Sequence, residues 1–320
     1  MTYTIEQGAD TLRRLRHAIA ERIVGQDAAI EDALIVFLAR GHLLIEGVPG
    51  TAKTLLVRTL ASALGLTFTR IQFTPDLMPS DVTGIALLRD ASRGFEFQPG
   101  PVFTDLLLGD EINRAPAKTQ SALLEAMAER QVTTDGITRP LSPLFTVFAT
   151  QNPVEHEGTY PLPEAQLDRF LLKTIMGYPS RDAELQMLTR HEEGFNPERT
   201  DVALTEPMLS PSEAAQLRTL TDGVRVAPEV LAYIVGITRA TREEPALALG
   251  ASPRATVALM RASRAAAVLD GRAYVTPDDV KDRVFATLRH RVMLSPELEV
   301  EGRTADDALS AILLRVVAPK

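Results

Sequence analysis

The 320-residue sequence contains no cysteine, which excludes a disulfide framework and a zinc–thiolate site alike and leaves the redox compartment unread. Its five histidines are scattered. His156, between Glu155 and Glu157, has no second histidine at ligand spacing and reads as an exposed polar loop rather than a metal ligand. No apolar stretch approaches the ~18 residues that suggest a membrane span. Residues 1–10 lack the basic start and apolar run of a secretory signal. Membrane insertion is therefore not expected, and the cytoplasm is the simplest location. With a net charge of −8 there is no global field to draw in a phosphate backbone, so nucleic acid is not an expected partner. The late arginines, among them Arg254, Arg261 and Arg264, read as a solvated helix face in preference to a basic patch. There is no internal repeat of fixed period.

What is present is a chain 45% hydrophobic, long enough for a substantial core and, by the usual domain-size prior, for two domains. Residues 12–40 read as two helices broken at Val24-Gly25-Gln26, with Asp27 as N-cap of the second. Strand patterns follow at 42–46, 67–73, 105–109, 144–150 and 170–176, and helical patterns at 53–64 and 116–130 separate several of them. That alternation predicts a parallel sheet covered by helices. The long Pro- and Gly-rich stretch 75–101 reads as an insertion, and 131–141 as a hairpin turning at Asp135-Gly136. Strand signals stop near 177–180. Beyond a polar stretch at 191–212 the chain reads as helical, with helix starts at Ser252-Pro253 and Thr276-Pro277. The expected domains are an α/β core over 1–178 and an all-α unit over 179–320.

The strongest local feature is Gly47-Val48-Pro49-Gly50-Thr51-Ala52-Lys53-Thr54, between a predicted strand and a predicted helix. Backbone N–H groups there can meet phosphate oxygens, Lys53 can reach the β- and γ-phosphates, and Thr54 can place its hydroxyl on Mg²⁺. Ala52 stands where the pattern has its last glycine. A position just before a helix start need not be left-handed, so the variant is acceptable. The apolar strand ending in Asp110-Glu111 supplies two acids with divided labour: Asp110 for the Mg²⁺ shell, Glu111 as general base toward water. Asn152, after another strand, could orient that water. Arg169, just before the fifth strand, lies at a sheet edge that a neighbouring subunit could approach, and Arg254, at a helix start, could reach a γ-phosphate. Gln26, in the helix break, could line an adenine pocket.

Together these residues resemble the AAA+ superfamily. Residues 47–54 look like Walker A, 106–111 like Walker B, Asn152 like sensor 1, Arg169 like an arginine finger and Arg254 like sensor 2. Asp110-Glu111-Ile112-Asn113-Arg114-Ala115, the stretches 120–127 and 160–170, and Ala52 itself resemble the MoxR family specifically, from about residue 25 to 178. The resemblance implies a P-loop AAA+ core with a helical lid, ATP and Mg²⁺ as cofactors, and ring assembly as hexamers. It further implies chaperone-like work on client proteins, often ones with a von Willebrand A domain. The stretches 75–101 and 131–141 sit where that family carries an insert and a hairpin, so client contact is expected from them or from the lid. A nucleotide-gated binding module with negligible hydrolysis shares every binding residue. A small-molecule kinase is the third possibility, and it would need no base such as Glu111.

Overall fold

The computed structural model describes residues 3–90, 94–153, 159–195 and 206–319. Two helices open the chain, α1 (Ile5–Ala20) and α2 (Asp27–Leu38). Then come β1 (Leu43–Gly47), α3 (Lys53–Ala63), β2 (Phe68–Gln72), α4 (Pro79–Thr83) and the hairpin β3 (Gly84–Asp90)–β4 (Gly94–Pro99). β5 (Leu106–Asp110), α5 (Ala117–Glu129) and a second hairpin, β6 (Gln131–Thr134)–β7 (Ile137–Pro140), lead into β8 (Thr146–Gln151), α6 (Glu164–Leu167) and β9 (Leu172–Met176). The remaining elements are α7 (Arg181–Glu192), α8 (Pro211–Thr219), α9 (Pro228–Glu243), β10 (Leu247–Leu249), α10 (Pro253–Leu269), α11 (Pro277–Leu288), β11 (Met293–Leu294), α12 (Pro296–Val300) and α13 (Ala305–Arg315).

Five strands form one parallel sheet in the order β2-β5-β8-β1-β9. Its inner strands alternate between two apolar clusters with the period of two that a pleat imposes. Leu43, Ile45, Leu106, Leu108 and Phe148 enter one cluster, while Leu44, Leu107, Val147 and Ala149 enter the other. Both faces are covered, as a parallel sheet requires. Each strand lies within two residues of its expected place. The two hairpins fall inside the expected insertion and hairpin, and Asp135 and Gly136 both adopt positive φ, the signature of a two-residue type I′ turn.

Three expectations are corrected. Gln26, not Asp27, occupies the N-cap of α2; Asp27 is the first helical residue, where its carboxylate still favours the helix N-terminus. The C-terminal region is helical but includes a small antiparallel ribbon, β10–β11, and α7 precedes the polar stretch as well. Arg261 is not solvated: its guanidinium donates to the carbonyls of Ala39 and Arg40. Residues 196–205 of the polar stretch, and His156, lie outside the described residues.

The C-terminal helices do not build a separate core. Leu12, Leu15 and Ile19 of α1 join Leu259 and Val268 of α10, Val284 of α11 and Leu309 of α13 in the same cluster that backs the sheet. Polar groups are buried at this seam. Asp32 of α2 accepts from Arg283 of α11 at 3.2 Å, and Arg283 also pairs with Glu31 at 3.0 Å. Burial pushes the Asp32 carboxyl from its usual 3.8 up to about 6, and Arg283 opposes only part of that desolvation. Stability contributed by protonated Asp32 is therefore present below the unfolded value and lost as pH rises through about 6. Asp32→Asn lacks this titration, so its stability relative to wild type should rise across that pH interval. Denaturant melts at stepped pH read this directly, and parallel pH profiles for the two proteins would contradict it.

Candidate functional site

The turn between β1 and α3 is shaped by close approach and by handedness. A Cβ on Gly47 would sit 2.4 Å from the Met176 carbonyl oxygen of β9, so only glycine lets those strands pair there. Gly50 has φ +84, and Ala52, at the N-cap of α3, has φ 65 and ψ 22. The position is therefore left-handed after all, which corrects the expectation for Ala52. A methyl in that conformation costs about 1–2 kcal/mol, a strain that persists only where the surroundings fix the turn. Thr51 Oγ1 donates to the Val48 carbonyl at 3.1 Å, and Lys53 Nζ donates to the carbonyls of Gly47 at 2.5 Å and Val48 at 3.0 Å. Desolvation pulls the Lys53 pKa below the usual lysine value against the attraction of Asp110 and Glu111. A half-buried ammonium at a helix N-terminus, bonded only to neutral carbonyls in these contacts, is a site that an anion would stabilise.

The two acids hang from the end of β5 and are tied to its neighbours. Thr150 Oγ1 of β8 donates to Asp110 Oδ1 at 2.6 Å and accepts from the Glu111 backbone N–H at 2.9 Å. Arg70 of β2 donates to Asp110 Oδ2 at 2.7 Å. Glu111 has φ 57, so the chain reverses hand at once and throws its side chain away from that of Asp110. Its Oε2 accepts from Gln72 Nε2 at 2.7 Å and Arg114 Nη1 at 2.9 Å. Asn152, buried at the end of β8, faces the same space.

A cavity of about 740 Å³ unites this chemistry. Pro49 through Thr54, Asp110, Glu111, Asn152 and Gln26 all line it. Ile23 and Val24 from the break after α1, Met187 and Leu188 of α7, and Phe195 add an apolar part to its lining, with Arg22, Arg58, Arg190 and His191 beside them. A phosphate-binding turn at one end and an apolar slot at the other suit a nucleotide, and the volume lies within the range of small-molecule sites, about 300–1,000 Å³. Thr54 and Asp110 offer the hard oxygen donors that Mg²⁺ takes. Gln26 lines the slot, but its amide donates to the Gly177 carbonyl at 3.1 Å and so ties the helix break to the end of the sheet.

Arg169 and Arg254 are elsewhere. They share a second cavity of about 430 Å³ with Arg40, Arg130, Arg261 and Arg291, and neither lines the first. Asp168, the nearest acid in sequence to Arg169, is bound to Arg291 at 2.7 Å, and no ion pair to Arg169 or Arg254 is found among the described residues.

Comparison with known proteins places this geometry. The family described as "ATPase family associated with various cellular activities (AAA)" matches residues 42–172, and an "AAA lid domain" matches 239–312. The chain is 42% identical to Chaperone MoxR1 of Mycobacterium tuberculosis, over 97% of this chain and 83% of that protein. It is 34% identical to Protein MoxR of Methylorubrum extorquens, over 97% and 96%. The chain belongs to the MoxR family of AAA+ ATPases. An uncharacterised Bacillus subtilis protein, YeaC, is 49% identical over 90% of this chain and 88% of its own length. A crystal structure from Cytophaga hutchinsonii superposes with a TM-score of 0.88 at 40% identity, covering 98% of this chain and 96% of that one.

In this MoxR-family ATPase, Arg70, Gln72 and Thr150 join the site without having been expected. Arg70 and Gln72 are two apart on β2, and Gln72 pairs in register with Asp110. Their alternation on a strand next to the acid pair was the available signal. The left-handed Ala52 carries its own test. Ala52→Gly removes the methyl strain at the cost of about 0.5–1 kcal/mol of backbone entropy, a net gain of about 0–1.5 kcal/mol. The Tm of the nucleotide-free protein should rise by up to about 2 °C; a lower Tm would mean that the turn is not strained.

Proposed function

We propose that this ATPase works as a ring of identical subunits, expected to be a hexamer, that couples ATP binding and hydrolysis to chaperone-like remodelling or maturation of client proteins. One observation carries this reading: the acids and the phosphate turn line one cavity, while Arg169 and Arg254 line another. Arg22, Arg58 and Arg190 also line the first cavity, and in this reading the further charge-neutralising group that ATP hydrolysis calls for comes from a neighbouring copy. Lys53 and the turn would hold the phosphates, with Thr54 and Asp110 at the Mg²⁺ position. Mg²⁺, when bound, would offset charge on the β- and γ-phosphate oxygens. Glu111 would take the proton from water, Asn152 would orient that water, and the Ile23–Met187 slot would hold the base. Gln72 and Arg114 both hold Glu111 through Oε2, so its other carboxylate oxygen, or a side-chain shift of these three groups, would serve the water.

Exposed apolar side chains at the start of α4 and on the two hairpins, Met78, Ile85, Leu87 and Ile137, suit contact with a protein client, for which we favour one with a von Willebrand A domain. No helix among the described residues is long and apolar enough to cross a membrane, and we place the work in the cytoplasm. We also take the core to run over 1–178 and the lid over 179–320.

Glu111→Gln should keep nucleotide affinity and lose turnover by about 10²–10⁴-fold, the usual contribution of a positioned base. Tight binding with wild-type turnover would remove Glu111 from the role. Turnover per subunit should climb with protein concentration as rings assemble, and Arg169→Ala should lose about 10³-fold or more while still binding ATP. A specific activity independent of concentration would count against a trans arginine.

A further inference from the structure

Arg169 sits in a segment that the C-terminal region holds through Arg291 above all, with His290 Nε2 also bonded to the Phe170 carbonyl at 3.0 Å. Arg291 follows α11, and its guanidinium is only 2% exposed. It donates through Nε to Asp168 Oδ1 at 2.7 Å and through Nη1 to the Leu171 carbonyl at 2.9 Å. Nη2 donates to the carbonyls of Asp168, at 3.3 Å, and Phe170, and Nη1 also reaches the Thr287 carbonyl. The backbone is thus fixed on both sides of Arg169. The other Asp168 oxygen, Oδ2, accepts from Ser252 Oγ at 3.0 Å. Ser252 in turn caps α10, two residues before Arg254. One guanidinium and one carboxylate therefore join the segment that bears Arg169 to the helix start that bears Arg254.

Burial lowers the Arg291 pKa to about 10 and Asp168 opposes the fall, so the group is charged at neutral pH. Burying a cation carries a desolvation cost that only a full set of acceptors offsets. If holding the helix against the sheet were the whole purpose, apolar packing of the same volume would do it at lower cost. What a planar, five-donor group adds is orientation of several carbonyls at once.

We propose that Arg291 is a positioning residue: it sets Arg169 and Arg254 as one rigid pair that meets the nucleotide of the adjacent subunit. This rests on the trans reading given above. A displacement of about 1 Å in a charge-stabilising group can cost about 10²-fold in rate without touching substrate binding.

The test mixes full-length chains. Glu111→Gln subunits cannot turn over but still present an intact Arg169, so they can complement a neighbour whose own arginine pair is faulty. Arg169→Ala, Arg291→Gln and Arg291→Lys are each assayed alone and mixed with Glu111→Gln, and each mixture is scaled to wild type mixed with Glu111→Gln. Alone, Arg291→Gln should lose about 10²-fold in kcat with KM for ATP unchanged. Lysine should not restore the rate, because an ammonium lacks the planar fork. In the mixtures, turnover by Arg291→Gln chains should recover in step with that by Arg169→Ala chains. Failure of Arg169→Ala to recover overturns the trans reading itself. Recovery by Arg169→Ala without recovery by Arg291→Gln, or wild-type turnover by Arg291→Gln alone, overturns the positioning role. Should Arg291→Gln not fold, Asp168→Asn leaves Arg291 in place but weakens its hold. The same kcat loss and the same complementation are then expected, and full activity would refute the proposal.

Discussion

Strands β5, β8 and β1 are buried on both faces, and this constraint governs where the molecule can do chemistry. Alternate residues enter the two apolar clusters, so no interior position of these strands can carry an uncompensated charge. Polar groups emerge only where a strand ends. At the carboxyl ends of the three adjacent strands stand Gly47, Asp110 and Gln151, and each is followed at once by a residue of the candidate site. Thr150 is the last fully buried residue of β8, and its hydroxyl makes the passage from core to site by bonding both Asp110 and the Glu111 backbone. The reversals there are abrupt, and two of them use left-handed backbone at residues with side chains, Ala52 and Glu111. Strain located on either side of the proposed γ-phosphate position is consistent with a site whose geometry is imposed by the sheet rather than chosen by local propensity.

The same cluster that supports the sheet continues into the C-terminal helices, and this changes what a lid means here. Helix α1 packs on α10 through Leu12, Leu15 and Ile19, and Ile23 at its end belongs to that cluster while also lining the nucleotide slot. Met187 and Leu188 of α7 line the same slot. A base inserted between them would touch both the helix that leans on the C-terminal region and the first helix beyond the sheet. Occupancy of the slot and packing of the C-terminal helices thus share side chains, which gives a short physical route between nucleotide state and lid position.

Local pattern made much of this legible in the sequence. The strand runs, the phosphate turn and the Asp110-Glu111 pair are contiguous, and contiguity is what periodicity and motif reading can detect. Arg70, Gln72 and Thr150 were missed because their roles come from strand register, which sets residues some 40 apart side by side. The handedness of Ala52 was misjudged for a related reason. Local cost argues against a left-handed alanine by about 1–2 kcal/mol, and only the whole fold, by fixing β1 and α3 in place, outweighs it. Arg254 could be placed at a helix start by its Ser-Pro signal, yet which cavity that start faces depends on how α10 packs against α11, α9, α1 and α2. The late arginines looked solvated because composition counts charges without locating them, whereas Arg261 turns inward onto the end of α2.

The second cavity gathers six arginines in a chain whose net charge is −8. Acids balance only part of this charge: Asp168 is engaged by Arg291, Asp222 pairs with Arg40 at 2.6 Å, and Glu129 is left on the cavity wall. Arg130 and Arg261 are both pushed below the usual guanidinium range, first by burial and then by the neighbouring arginines. Such a cluster raises the free energy of the isolated subunit, since each cation there is disfavoured by the others. Structural reasons account for Arg130, Arg261 and Arg291, which donate to carbonyls of the surrounding chain. They do not account for Arg169 and Arg254, which add charge to the same space without an acid partner among the described residues. An anion entering this cavity would relieve the repulsion and gain the attraction of both. In the proposed ring the triphosphate of an adjacent subunit would carry that charge in concentrated form, and with both arginines on a cavity other than the chain's own phosphate site, hydrolysis would then wait for assembly.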